Sequence, residues 1–270
     1  MRKALFILMA FVIVTGAARA DYVIEIEQKN PGPDGEIATT GVLYVGMDKL
    51  KFDNMGGAGG GNMDMIFRAD KDLCWLINED KSSYTVMDKE AMSALTDQMS
   101  EMMEGMKEMM ANLPEDQKKM MEEQMKGKLP GAEKKEMPVV EMKKSGEKKD
   151  IYGFPCTRYD ILANGGKTGE IWVTPWGKAG FDEKDFDVFK KMSKFFQGLL
   201  ESNPMFQEGM SPGSAFQGFE KLDGFPVLTI ELMDGKSVSE SYFKSVDKKK
   251  VDDSTYEIPK GFSEENMFEK

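Results

Sequence analysis

The sequence predicts an α+β fold that is mainly antiparallel β, with helices packed on the sheet and a methionine-rich helical hairpin inserted into it. Three observations lead there. Apolar and polar residues alternate with period two through short segments of residues 22–87, and again in 152–174 and 225–246. Between these blocks the period switches to helical, at about 89–129 and at 183–200. The first helical block has an apolar face made almost wholly of methionine, a residue present 24 times in the chain.

Residues 1–20 have the form of a cleavable export signal. Arg2 and Lys3 precede an apolar run, and Ala18-Arg19-Ala20 supplies small residues around a cleavage point that would leave Asp21 as the mature N-terminus. The run is too short to be a comfortable membrane span, so no stable transmembrane anchor is expected and the protein is placed in the periplasm. Residues 21–270 then form a single domain with an insert at about 89–129. The net charge of −11 becomes more negative once the basic leader is removed, which disfavours nucleic acid and anionic membranes as partners.

From residue 21 onward the elements follow in order. Residues 22–28 alternate cleanly, 30–35 form a Pro/Gly turn, and 36–45 return as a longer strand. Residues 49–52, 63–68, 73–78 and 83–87 continue a β-meander. The glycine run at 56–61 lacks the Lys-Ser or Lys-Thr of a phosphate loop and precedes a strand, so it is a hairpin loop.

Met92, Leu95, Met99, Met102, Met106, Met109 and Leu113 fall at alternating steps of three and four, an a/d stripe that Met103 and Met110 widen. Pro114 opens a second helix carrying Met120, Met121 and Met125, closed by Gly127 and Pro130. The lysine-rich residues 133–149 are expected as a solvated linker with one short strand around 138–142. Two hairpins follow, each opened by a Gly-Phe-Pro triplet at Gly153 and Gly224, with the helix at 183–200 between them. Residues 255–262 are expected as a last short edge piece stopped by proline.

The side-chain inventory narrows the chemistry. Without histidine there is no Ser-His-Asp or Cys-His arrangement and no imidazole acid–base step. No other spacing marks a catalytic group, so the protein is expected to be a non-enzyme without a cofactor. Cys74 and Cys156, on two strand-like stretches of an exported chain, are expected to form one disulfide.

The segment 65–78, with Asp70 to Trp75 at its turn, the Met-rich insert and the Gly-Glu-Ile-Trp-Val-Thr-Pro stretch at 169–175 resemble an uncharacterised family of exported bacterial proteins. Together with the Glu257 to Phe262 tail, the layout is similar to the LolA/LolB-type lipoprotein carriers. That resemblance implies a curved, unclosed half-barrel whose apolar concave face is covered by helices. The long Met insert departs from the carrier pattern, so no lipoprotein cargo is carried over.

Three functions fit these residues. The first is a non-enzymatic carrier of a lipid, acyl chain or other hydrophobic small molecule, with the adaptable Met hairpin as its lid. Met92, Met99, Met102, Met106, Met109, Trp75, Trp172 and Phe189 would line that site. The second is a soft-metal protein holding Cu(I) or Ag(I) between thioethers of Met99, Met102, Met103, Met106, Met109 and Met110. The third is a structural or partner-docking role for the Met face. Arg68 and Arg158, each in a strand, are expected to pair with neighbouring carboxylates.

Overall fold

The computed structural model describes residues 21–32, 35–54, 63–111, 140–180, 183–202 and 222–265. Its first half is a meander of β1 (Asp21–Gly32), β2 (Gly35–Val45), β3 (Lys49–Asp53), β4 (Met63–Arg68), β5 (Leu73–Asn78) and β6 (Ser83–Met87), followed by helix α1 (Lys89–Ala111). The second half begins with β7 (Val140–Ile151), β8 (Phe154–Ala163) and β9 (Gly166–Pro175). A short helix α2 (Trp176–Ala179), a 3-10 turn (Glu183–Phe186) and helix α3 (Asp187–Ser202) lead to β10 (Gly224–Met233) and β11 (Lys236–Lys249). The tail adds a 3-10 turn (Asp253–Tyr256) and the two-residue β12 (Ser263–Glu264).

All twelve strands belong to one sheet, in the order β12-β6-β5-β4-β3-β2-β1-β11-β10-β9-β8-β7. The two meanders are zipped together by the antiparallel pairing of β1 with β11, in which Ile24 faces Val246. The sheet is open and curled. Tyr152, in the turn between β7 and β8, donates its hydroxyl to Glu27 Oε2 on β1 at 2.9 Å, although three strands separate β8 from β1 in the sheet. Pro226, which has no N–H to give a ladder, sits where the β9–β10 register slips.

Alternation sorts the side chains into layers. On β4, Met65 and Phe67 point into the main core while Ile66 joins a second cluster on the opposite face. The main core draws Ile24, Leu43 and Leu50 from the first meander and Trp172 and Val227 from the second. Helix α3 fills it with Val188, Phe189, Met192, Phe195, Phe196 and Leu199, a stripe at helical spacing. Phe195 meets Phe67 with ring centroids 5.4 Å apart. On the other face, Val251 and Tyr256 of the tail cover Val23, Ile66, Trp75 and Ile77. Strand β4 is therefore buried on both faces, which is why Met65-Ile66-Phe67 runs apolar without alternation at its centre.

Several expectations change. Residues 140–151 form a twelve-residue edge strand, β7, longer than the one short strand expected around 138–142, while 133–139 lie outside the described residues; its side chains are mostly exposed, so no apolar alternation marks it. Residues 255–262 do not form the edge piece. They pass through a 3-10 turn that buries Tyr256, and the edge pairing comes later, where β12 runs parallel to β6. Cys74 and Cys156 are free, buried thiols rather than a disulfide. They belong to β5 and β8, in different meanders, and each is accommodated as a small apolar group in the main core. Of the Met hairpin, α1 forms as expected and its proposed partner helix lies outside the described residues, as does the glycine run.

Candidate functional site

Helix α3 does not pack flush along its whole length. Between its first turns, α2 and the start of β10 lies a narrow aromatic cleft lined by Trp176, Phe186, Phe189, Phe225 and Phe243. It is a narrow slot of about 40 Å³ rather than a chamber. Phe186 organises it. Its ring stacks on Phe189 at 4.7 Å, meets Phe225 edge-on at 5.0 Å and tilts against Trp176 at 5.4 Å. The rim is polar: Lys190 Nζ lies 3.5 Å from Glu183 and 3.3 Å from Asp187.

Local sequence explains these placements. Gly180 takes a left-handed φ of 88°, ending α2 and turning the chain toward the 3-10 turn. Gly224 lets β10 come so close to β9 that an added Cβ would sit 2.1 Å from the Thr174 carbonyl oxygen. Phe225 and Pro226 follow directly and enter the cleft wall.

A second, polar cleft of about 350 Å³ adjoins it. Its walls come from the start of β1, the β2–β3 turn, the 3-10 turn and the beginning of the tail. Tyr22 donates its hydroxyl to Asp185 Oδ2 at 2.5 Å; burial first and this carboxylate second push the phenol's pKa up. Lys49 pairs with Asp253, and Asp21 Oδ2 accepts the Val251 N–H at 3.1 Å.

The expected site residues scatter. Phe189 is the one that lines the aromatic cleft. Trp172 is buried in the main core with the Lys149 ammonium 5.9 Å from its ring. Trp75 lies on the opposite face of the sheet, under Arg68 and Lys71, and cannot line the same site. Met92 is buried in the core, whereas Met102 and Met109 are 63% and 62% exposed and Met110 is half-buried. The side chains of Met99, Met103 and Met106 lie outside those described. Among the described side chains, the phenylalanines of α3 and its approach line the cleft. Trp176, Phe225 and Phe243 were not singled out in the sequence as lining residues. The signal was present in Gly224-Phe225-Pro226, but it marks a strand opening equally well.

Both arginines pair with carboxylates as expected. Arg68 makes a two-pronged contact with Asp70 at 2.8 and 2.7 Å and also holds Glu257; Arg158 reaches Glu147 at 2.5 Å and Asp160 at 3.3 Å. Among the described residues, no cluster of three or more acidic or cysteine side chains is placed to hold a metal ion, and no helix is long and apolar enough to cross a membrane.

Fold and cleft define a class: an open, curled, mainly antiparallel sheet whose main core is filled by an aromatic-rich helix beside a narrow apolar slot. Residues 89–262, more than half of the chain, match the family described as a domain of unknown function, DUF4412, and the chain belongs to that family. An uncharacterised conserved protein from Thermus thermophilus is similar in structure, with 5% identity, 92% of each chain covered and a TM-score of 0.44. PNGF-II is similar at 12% identity over 92% of this chain and 31% of its own, with a TM-score of 0.39. A chain of the Pseudomonas aeruginosa MucA/MucB complex is similar at 7% identity over 88% and 55%, with a TM-score of 0.29. Overlaps this loose carry no functional argument. No curated protein matches the chain.

Proposed function

We propose that this is a non-enzymatic periplasmic binding or carrier protein for a hydrophobic ligand, a lipid or single acyl chain, taken up by a LolA/LolB-like half-barrel. The observation that carries the proposal is the aromatic slot of Trp176, Phe186, Phe189, Phe225 and Phe243. An apolar slot with few polar groups at its rim suits a flexible hydrocarbon chain, and such clefts in barrel mouths are common ligand sites. The Met hairpin is the expected lid, and the phenylalanines of α3 pack into the main core beside the slot.

Native mass spectrometry of the protein taken from the periplasm tests this. A retained mass of several hundred daltons, lost on denaturation and lost in a folded Trp176→Ala variant, is the expected result. A bare mass that gains no amphiphile on titration would refute it.

A second reading, partner docking, is favoured by Met102 and Met109, which leave apolar thioether surface exposed on α1. Self-association that a Met102→Lys, Met109→Lys variant abolishes would support docking with a second copy. The soft-metal reading turns on Met99, Met103 and Met106, which neighbour Met102, Met109 and Met110 on the helix and whose side chains lie outside those described.

A further inference from the structure

The 3-10 turn Glu183–Phe186 is a shared wall. Glu183 and Phe186 line the aromatic slot, while Lys184 and Asp185 line the polar cleft. A 3-10 turn rises about 2 Å per residue, so the two clefts meet within about 6 Å of backbone. Apolar and ionic surfaces adjoining at that distance match a molecule with a tail and a charged head.

The polar cleft carries both signs of charge. Lys184 and Lys250 are exposed and make no ion pair or hydrogen bond among the described residues. Asp252 and Asp253 lie beside Lys250; one is committed to Ser254 and the other to Lys49, each with oxygen lone pairs to spare. Asp21 is engaged by one backbone N–H. Of the three lysines and four aspartates in the lining, Lys49 is held by Asp253 and Asp185 by Tyr22, which leaves Lys184 and Lys250 for an anion and spare carboxylate lone pairs on Asp21, Asp252 and Asp253 for a cation. A purely anionic head would meet the carboxylates, and a purely cationic one the lysines. A head bearing one of each satisfies both.

We infer that the two clefts form one bipartite site for a zwitterionic amphiphile, its chain in the aromatic slot and its phosphate-plus-ammonium head in the polar cleft. Phosphate faces Lys184 and Lys250, and the ammonium faces Asp252, Asp253 and Asp21. This inference rests on the apolar-ligand function proposed above and adds the class of head group. The polar cleft's space of about 350 Å³ is ample for such a head.

The test is calorimetric titration of the full mature protein with lauroyl lysophosphatidylethanolamine below its critical micelle concentration. Laurate, lauroyl lysophosphatidylglycerol and glycerophosphoethanolamine, the head without a chain, are titrated alongside. The zwitterionic amphiphile is expected to bind at least tenfold more tightly than laurate or the anionic lysolipid. Lys184→Met with Lys250→Met should erase that preference while leaving the circular dichroism spectrum unchanged. Both lysines are exposed, so the double variant is expected to fold. Equal affinity for all three amphiphiles would overturn the bipartite site and leave the apolar slot standing. Head group alone binding as tightly as the amphiphile would also overturn it. No binding by any amphiphile would remove both readings together.

Discussion

The guanidinium of Arg68, buried on β4, grips the carboxylate of Glu257 in the tail, 189 positions later in the chain. The same guanidinium holds Asp70 with two further bonds and donates to the Tyr256 carbonyl at 3.2 Å. Trp75 lies beneath it, 5.9 Å from ring centroid to guanidinium. The turn after β4 and the C-terminal tail, the two segments matched to the LolA/LolB-type layout, therefore form one latch. It closes the tail over Ile66, Trp75 and Ile77.

Removing the latch should loosen the tail. Arg68→Met leaves the Tyr256 carbonyl and two carboxylates without their shared donor, and should cost about 2–3 kcal/mol, discounted from a fully buried pair because both acids are half-exposed. Glu257→Gln, which keeps one acceptor, should cost about 1 kcal/mol. Urea unfolding of the variants measures both, and a change below 0.5 kcal/mol (about the experimental scatter) for Arg68→Met would deny the latch its role.

The latch also has a pH signature. Asp70 is held below the usual carboxylate range chiefly by Arg68. For Glu257, partial burial opposes ionisation, but Arg68 and Lys71 outweigh it and the pKa is again lowered. Folded pKa values below the unfolded ones give stability that is present above the unfolded carboxylate range and disappears as pH falls through the folded values. Wild type should lose more stability than Arg68→Met between pH 5 and pH 3 (roughly the carboxylate range). Parallel acid titrations of the two proteins would contradict this.

Both thiols should be silent in the native protein. Burial raises the pKa of Cys74 strongly and pushes that of Cys156 up to about 12, so almost no thiolate exists near neutral pH. A thiol reagent should modify neither cysteine before unfolding and both afterwards, with no change of mobility on reduction. Loss of both thiols in unfolded protein isolated without reductant would instead reveal a disulfide.

Gly224 is held by contact rather than by φ. Gly224→Ala would drive a methyl group into the Thr174 carbonyl, and should cost about 3 kcal/mol and widen the aromatic slot. Thermal unfolding and tryptophan fluorescence, which senses Trp176, report the two effects separately. An alanine variant as stable as wild type would show that β10 can draw back without loss.

The Met stripe of α1 should divide in two. Met92→Ala removes a core side chain and should cost about 3 kcal/mol, whereas Met102→Ala and Met109→Ala should stay within about 0.5 kcal/mol. Equal losses at all three positions would mean that the helix is buried along its length in solution.

Much of the sheet was legible because strand patterning is local. Residues 63–68 and 73–78 appear where alternation and β-branched content put them, and α3 matches the period of Val188, Met192, Phe195 and Leu199. β7 escaped because an edge strand exposed on both faces has no apolar period to detect, and its lysines resemble a solvated linker. The lining set was only partly legible for a related reason. Period identifies which residues face inward, but Trp75 and Trp172 both face inward, on opposite sides of the sheet.

The sequence by itself determined the class of elements, their order, the absence of imidazole chemistry and the apolar stripe of α3, because each depends on residues a few positions apart. Only the tertiary structure decided that β1 pairs with β11, that Arg68 meets Glu257, and that Phe186, Phe225 and Phe243 converge on one slot. Those contacts join residues far apart in the chain. Which partner each apolar face or buried charge finds is settled by how the whole curled sheet closes over its core.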